Sequence, residues 1–271
     1  MLKCARALIV SALTVLLALS IFPSASEAVW VENGNLVCAS DPNQSWIRVA
    51  SDGAGGVFCT WLDSRTGNLD IYAQWIDASG NPVWDPAGIV VCTETSSQIQ
   101  PWIISDGDRG AIIVWLDYRP GSETDVYAQR IDDMGNLLWT PDGVMICAAA
   151  GDQDRVRLVP DGEGGTIIAW ADQRTGNFDI YMQRVTDKGE VLWTADGLAV
   201  TTETDDQDEF EMIPDGAGGA FFAWRDRRTG LNDIYAQLVD SEGNSLWTHN
   251  GEPVCTHAGS QTLPVLTADG A

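Results

Sequence analysis

The sequence predicts an all-β fold, a β-propeller of four-stranded antiparallel blades, and three observations carry that expectation. Trp30, Trp84, Trp139, Trp193 and Trp247 are separated by 54, 55, 54 and 54 residues. A second series, Trp61, Trp115, Trp170 and Trp224, keeps step with the first, and the text around both recurs. Within each unit the strand signals come four at a time, and no stretch of 10–15 residues carries capped helical periodicity. One sheet of four short strands cannot bury both its faces, so it needs stacked neighbours. Solenoid coils are usually shorter and separate sandwich domains longer; a solenoid or an open array of such sheets is the competing architecture.

The second unit shows the elements in order. Gln98 to Ser105 is a short alternating run that ends at the turn pair Asp106-Gly107. Ala111 to Asp117 is almost continuously apolar, as in a strand covered on both faces. Asp125 to Asp132 alternates, then closes through Asp133-Met134-Gly135-Asn136 onto Leu137-Leu138-Trp139 as a hairpin. Beyond Asp142-Gly143, Val144 to Cys147 extends the outer strand. This phase divides the chain into blades at 42–95, 96–150, 151–204 and 205–258. Residues 29–41 then supply the outer strand of a closing blade, the arrangement that removes a sheet edge. Residues 259–271 begin a further blade, which the sequence is expected to cut short.

Residues 1–28 read as a secretory signal. Lys3 and Arg6 precede the apolar run Ala7 to Phe22, Pro23 breaks it, and Ser26-Glu27-Ala28 offers small residues for cleavage. The run falls short of the ~20 residues a membrane span requires. The expected location is therefore outside the inner membrane: secreted, periplasmic or at the cell surface. No membrane span is expected after cleavage. A net charge of −24 argues against nucleic acid as a partner. A protein or carbohydrate ligand fits better.

The text DGAGG…W-x-D-x-R-T-G-N-x-D-I-Y-A-Q at 52–74 resembles blades of the TolB type. The following Asp-x-x-Gly-Asn-x-Leu-Trp hairpin resembles that of quinoprotein-type propellers. The resemblance implies an exported bacterial propeller that binds macromolecules, and it transfers no enzyme residues, because the matched positions are blade scaffold.

A catalytic site is one asymmetric constellation, whereas a scaffold device appears once per blade. The pairs Asp63/Arg65, Asp117/Arg119, Asp172/Arg174 and Asp226/Arg228 recur at one phase and so read as turn or inter-blade supports. Asp70, Asp125, Asp179 and Asp233 recur likewise. Within Asp63–Asp70 the oxygen ligands fall at positions 1, 6 and 8 beside a cation at Arg65, a poor match to the six to eight oxygens calcium takes. No cofactor is expected, with calcium the one ion worth testing. Cys38, Cys92, Cys147 and Cys255 share a phase and, with Cys59, read as small buried apolar residues.

What breaks the symmetry lies on the inner strands. Two and four residues after Gln44, Gln98, Gln153 and Gln207 stand Trp46 and Arg48, Gln100 and Trp102, Arg155 and Arg157, and Glu209 and Glu211. Leu263 and Val265 follow Gln261 at the same phase. Alternation sets these opposite the apolar Ile47, Val49, Val156, Leu158, Phe210 and Met212. They read as a polar-aromatic ligand site, or as a channel rim of ion pairs between neighbours. The expected function is a non-catalytic propeller that binds a macromolecule or glycan. One alternative is a glycan-processing enzyme, with Glu209 and Glu211 the candidate carboxylates; the other is a purely structural surface repeat protein.

Overall fold

A computed structural model describes residues 34–40, 43–119, 121 and 123–268. The signal expected at 1–28 lies outside them. Sixteen strands form four separate antiparallel sheets. β1 (Gln44–Ser51), β2 (Val57–Asp63), β3 (Asp70–Ile76) and β4 (Ile89–Cys92) make the first. β5 (Gln98–Ser105), β6 (Ala111–Asp117), β7 (Asp125–Ile131) and β8 (Val144–Cys147) make the second. β9 (Gln153–Pro160), β10 (Thr166–Asp172), β11 (Asp179–Val185) and β12 (Leu198–Thr201) make the third. β13 (Gln207–Pro214), β14 (Ala220–Asp226), β15 (Asp233–Val239) and β16 (Glu252–Cys255) make the fourth. Each is an up-and-down meander, and the sheets meet through their first strands in the order β1–β5, β5–β9 and β9–β13. This is the blade architecture of a propeller. Among the described residues no sheet joins β13 to β1.

The core lies between blades. Along β6, Ala111, Ile113 and Trp115 pack towards the first blade with Phe58, Ile71 and Trp84. The alternate residues Ile112, Val114 and Leu116 pack towards the third with Val156, Ile168 and Trp170. The period-2 pleat thus splits one apolar run into two interfaces, which is why the run lacks polar alternation. The expected hairpin strand at Leu137–Trp139 reduces to a single bridge between Ile131 and Leu137. Trp139 instead donates its indole N–H to the carbonyl of Asp187 in the third blade, 3.0 Å away. Trp84 does the same to Asp133 at 3.3 Å.

The central tryptophans explain the Asp/Arg pairs. In the second blade Trp115 Nε1 donates to Asp117 Oδ2 at 3.0 Å, and Arg119 donates to the same oxygen at 2.6 Å. The Arg119 backbone N–H takes Oδ1 at 2.8 Å, and its guanidinium lies 3.9 Å from the centre of the Tyr127 ring. Asp117 is fully buried with its charge matched by these donors, the condition under which a buried carboxylate is tolerated. The same indole, guanidinium and backbone donors meet Asp63, Asp172 and Asp226. They hold the turn.

Two further devices repeat without having been legible as such. Gln74, Gln129, Gln183 and Gln237 are fully buried and tie the hairpin down; Gln129 Oε1 accepts the backbone N–H of both Arg130 and Trp139. The recurring cysteines receive an arginine from the next blade, Arg119 on Cys92 at 3.3 Å and Arg174 on Cys147 at 3.4 Å. Cys59, Cys92 and Cys147 are buried as expected, whereas Cys38 and Cys255 are only partly so. Burial pushes the thiol of Cys59 up to about 11 and those of Cys92 and Cys147 up to about 12. Arg65 reaches Cys38 in the same way, with Val37 and Cys38 lying against Trp61 and Tyr72.

Candidate functional site

The site is built on a backbone irregularity present in every blade. Between Ile99 and Trp102 the pairing of β5 with β6 slips, so that two residues, Gln100 and Pro101, oppose the single Trp115. The same slip puts Trp46 and Ile47 opposite Trp61, Arg155 and Val156 opposite Trp170, and Glu209 and Phe210 opposite Trp224. The first residue of each bulge has a left-handed backbone: φ is 54° at Trp46, 51° at Gln100, 56° at Arg155 and 47° at Glu209. Leu263 repeats it at 56°. Glycine is the usual occupant of such a position, yet none of the five is glycine.

The expected alternation holds on β9 and β13 despite the bulge. It places the second bulge residues Val156 and Phe210 in the core, each 1% exposed. On β1, Ile47 and Val49 are exposed instead of packed. The eight expected site residues are nevertheless brought together. Trp46, Arg48, Gln100, Trp102, Arg155 and Arg157 line one groove of about 360 Å³. Glu209 and Glu211 line an adjoining hollow of about 210 Å³ that shares Arg155 and Arg157.

Within the groove two guanidiniums stand over the Trp102 ring, Arg157 at 4.2 Å from its centre and Arg48 at 4.7 Å. Arg48 also lies 5.5 Å from the Trp46 ring. Partial burial, and then the nearby charge of Arg157, lower the pKa of Arg48 from its ordinary value, though it stays protonated at any physiological pH. Arg157 clasps Glu211 with two hydrogen bonds, of 3.0 and 3.3 Å. Gln100 donates to Asp154 at 2.7 Å.

Glu209 is different. Arg225 Nη1 holds its Oε1 at 2.9 Å, while Oε2 is buried and has no hydrogen-bond partner. Arg225 also grips Asp208 with bonds of 2.7 and 2.8 Å, so the arginine is anchored before it meets Glu209. Asp154, Asp208 and Arg225 are the participants that inspection of the inner strands overlooked. Arg225 had a signal: it breaks the phase held by Leu62, Leu116 and Ala171.

Trp75 is half-buried. Its indole donates to Asp52 at 3.0 Å and its ring lies 5.5 Å from Phe58, in the role that Arg130 fills towards Asp106 and Arg184 towards Asp161. The loop weighed for calcium is internally engaged. Arg65 takes both oxygens of Asp63, and Thr66 and Asn68 take those of Asp70.

No family model matches the chain, and no curated protein matches it. Solved structures do. An α-L-arabinanase of Penicillium chrysogenum, complexed with arabinobiose, aligns over 80% of this chain and 70% of its own at 16% identity and a TM-score of 0.52. A thermostable family-43 glycoside hydrolase aligns over 77% and 75% at 11% identity and a TM-score of 0.46. A family 117 glycoside hydrolase of Zobellia galactanivorans aligns over 82% and 75% at 10% identity and a TM-score of 0.45. At this identity the arabinanase match speaks to the fold, a propeller. It corrects two expectations: the likeness is to a propeller described as an arabinanase, not to TolB or quinoprotein types, and that propeller is not a non-catalytic binding module.

Proposed function

We propose that the chain is a glycan-processing enzyme whose inner-strand groove seats the sugar and whose Glu209 is the reacting carboxylate. The observation that carries this reading is Glu209 itself. One of its oxygens is fixed by an anchored arginine and the other is buried without a partner, a state no other first bulge residue shares. Such an unpaired buried group is costly and calls for a functional explanation. In the adjoining groove the exposed Trp46 gives a flat apolar face on which a sugar ring can stack, and Gln100 and the arginines give hydrogen-bond donors at its edge. A carboxylate fixed through one oxygen can pass a proton to a glycosidic oxygen, or take one from an attacking group, through the other once substrate uncovers it.

The amino-terminal charged, apolar and small-residue sequence supports the further proposal that this enzyme works outside the cytoplasm. The test is turnover of a panel of oligosaccharides, followed by reducing-end release or by ultraviolet absorbance of unsaturated products. Glu209→Gln should lower kcat by about 10²- to 10⁴-fold, as loss of a general acid or base does, with an unchanged melting temperature. Turnover that survives intact in Glu209→Gln refutes the assignment.

A further inference from the structure

Carbohydrate grooves are commonly rimmed by carboxylates and amides. This one is rimmed by arginines, in a chain of net charge −24 that carries only 15 Lys+Arg. Three of those cations, Arg48, Arg155 and Arg157, gather at a single groove with Asp154 the one carboxylate in its lining. Asp154 is engaged by Gln100, and Arg157 is neutralised by Glu211. Arg155 has only distant contacts, 3.7 Å to Asp154 and 4.0 Å to Asp208.

Arg48 has less. Among the described residues every other arginine has a carboxylate within 4.0 Å. Arg48 has none. Its guanidinium touches two tryptophan rings and a backbone carbonyl, its Nε is buried without a partner, and it shares the Trp102 ring with the like charge of Arg157. Thirty-nine Asp+Glu are available in the chain to pair it, so leaving this fork open against two aromatic faces runs counter to the protein's own electrostatics.

We propose that this groove recognises an acidic glycan: the anion on the sugar ring, carboxylate or sulfate, docks on the open fork of Arg48 while the ring stacks on the exposed Trp46, Trp102 backing the two guanidiniums. The guanidinium offers planar two-point hydrogen bonding to either anion, and Trp46 selects for a ring instead of a free ion. Arg155 supplies a second, weaker cation on the far side of Gln100. The long-range field of the chain opposes any anion, so specificity must come from these short contacts. The proposal rests on the carbohydrate reading above, although it concerns binding and leaves the reaction open.

Titration calorimetry with the intact chain tests it, using three probes of matched length: oligogalacturonate, a sulfated galactan oligosaccharide and a neutral arabinan oligosaccharide. Inorganic sulfate and free galacturonate serve as ion controls. At least one acidic oligosaccharide should bind ten times or more tighter than the neutral one, and whichever acid wins identifies the anion. Arg48→Gln should weaken that binding roughly 10- to 100-fold, as expected for losing hydrogen bonds to a charged group. Arg48→Lys should recover part of it. Arg109→Gln, which removes an exposed arginine paired with Asp133 outside the groove, should change nothing. Neutral and acidic sugars binding alike, or Arg48→Gln binding acid as the wild type does, overturns the proposal, as does inorganic sulfate binding as tightly as the sulfated sugar. Glu209→Gln keeps the two readings apart: full turnover in it removes Glu209 from the chemistry, while its retained acid binding would leave the Arg48 site standing.

Discussion

Replacing Gln100 by glycine should stabilise the protein relative to replacing it by alanine, the reverse of the usual order in a strand. Both substitutions remove the same side chain and the same hydrogen bond to Asp154, so their difference isolates the backbone. At φ 51° an alanine Cβ pays about 1–2 kcal/mol for the left-handed conformation. Glycine avoids that but loses about 0.5–1 kcal/mol more conformational entropy on folding. The balance favours glycine by roughly 0–1.5 kcal/mol, about 0.8 at the centre of both ranges. At Ser105, an ordinary paired position of the same strand, alanine should win by roughly 0.5–1 kcal/mol, because only the entropy term acts there. The ordering therefore inverts within six residues of one strand. Urea unfolding followed by tryptophan fluorescence, with both pairs of variants measured side by side, resolves a swing of this size. Alanine equal to or better than glycine at position 100, and again at 155, would refute the claim that the bulge is strained. It would also remove the argument that these side chains are retained for use.

Gly143→Ala should cost about 2–5 kcal/mol, since a Cβ there meets the buried Trp115 ring at 2.5 Å on top of a left-handed φ. Gly162→Ala, with the same backbone but open space, should cost only the ~1–2 kcal/mol conformational part; equal losses in urea titrations would show that the Trp115 contact is not rigid. Asp125 lacks the threonine and asparagine donors that Asp70 and Asp179 enjoy, and burial followed by repulsion from Asp117 pushes its pKa up to about 6. The folded state thus binds the proton more tightly than the unfolded state, whose carboxyl titrates near the usual ~4. Stability from this group is present at low pH and declines as pH rises through about 6. Asp125→Asn should raise the melting temperature at pH 7.5 and lose that advantage by pH 4; a gain that does not vary with pH would contradict the burial argument. Chelation should leave the melting temperature unchanged, because the carboxylates of the Asp63–Asp70 loop are already taken by Arg65, Thr66 and Asn68; a fall of several degrees on adding a chelator would place an ion there.

Strand boundaries were readable because each is set locally. Gln98–Ser105 and Ala111–Asp117 were expected and observed with identical ends, since a turn pair and a change of polarity mark them. The candidate residues were readable because the repeat supplies its own control: four copies of one text expose what varies. The bulge was not readable. No glycine announces it, and strict alternation is the default for a strand. The exposure of Ile47 and Val49 has a different cause: among the described residues only the second sheet stacks on the first, so one side of β1 has no sheet against it. Partnership was not readable either. Whether Arg48 or Arg157 meets Glu211 depends on which blade stands next and how the strands are staggered, and only the folded array determines that.

The repeat and the site are two uses of the same backbone. Each blade spends its recurring residues on an identical frame: a tryptophan opposite the bulge, an aspartate to hold its indole, an arginine to close the turn. The frame fixes the first bulge residue in a conformation that projects it from the inner strand whatever its identity, so tryptophan, glutamine, arginine and glutamate can occupy it in turn. Substitution at that point leaves the inter-blade core untouched, because the core is supplied by the next residue, Val156 or Phe210. A site assembled this way can change its ligand without changing its fold. The asymmetry that chemistry demands then costs one strained residue per blade, and that strain is the feature by which the four positions can be recognised among their repeats.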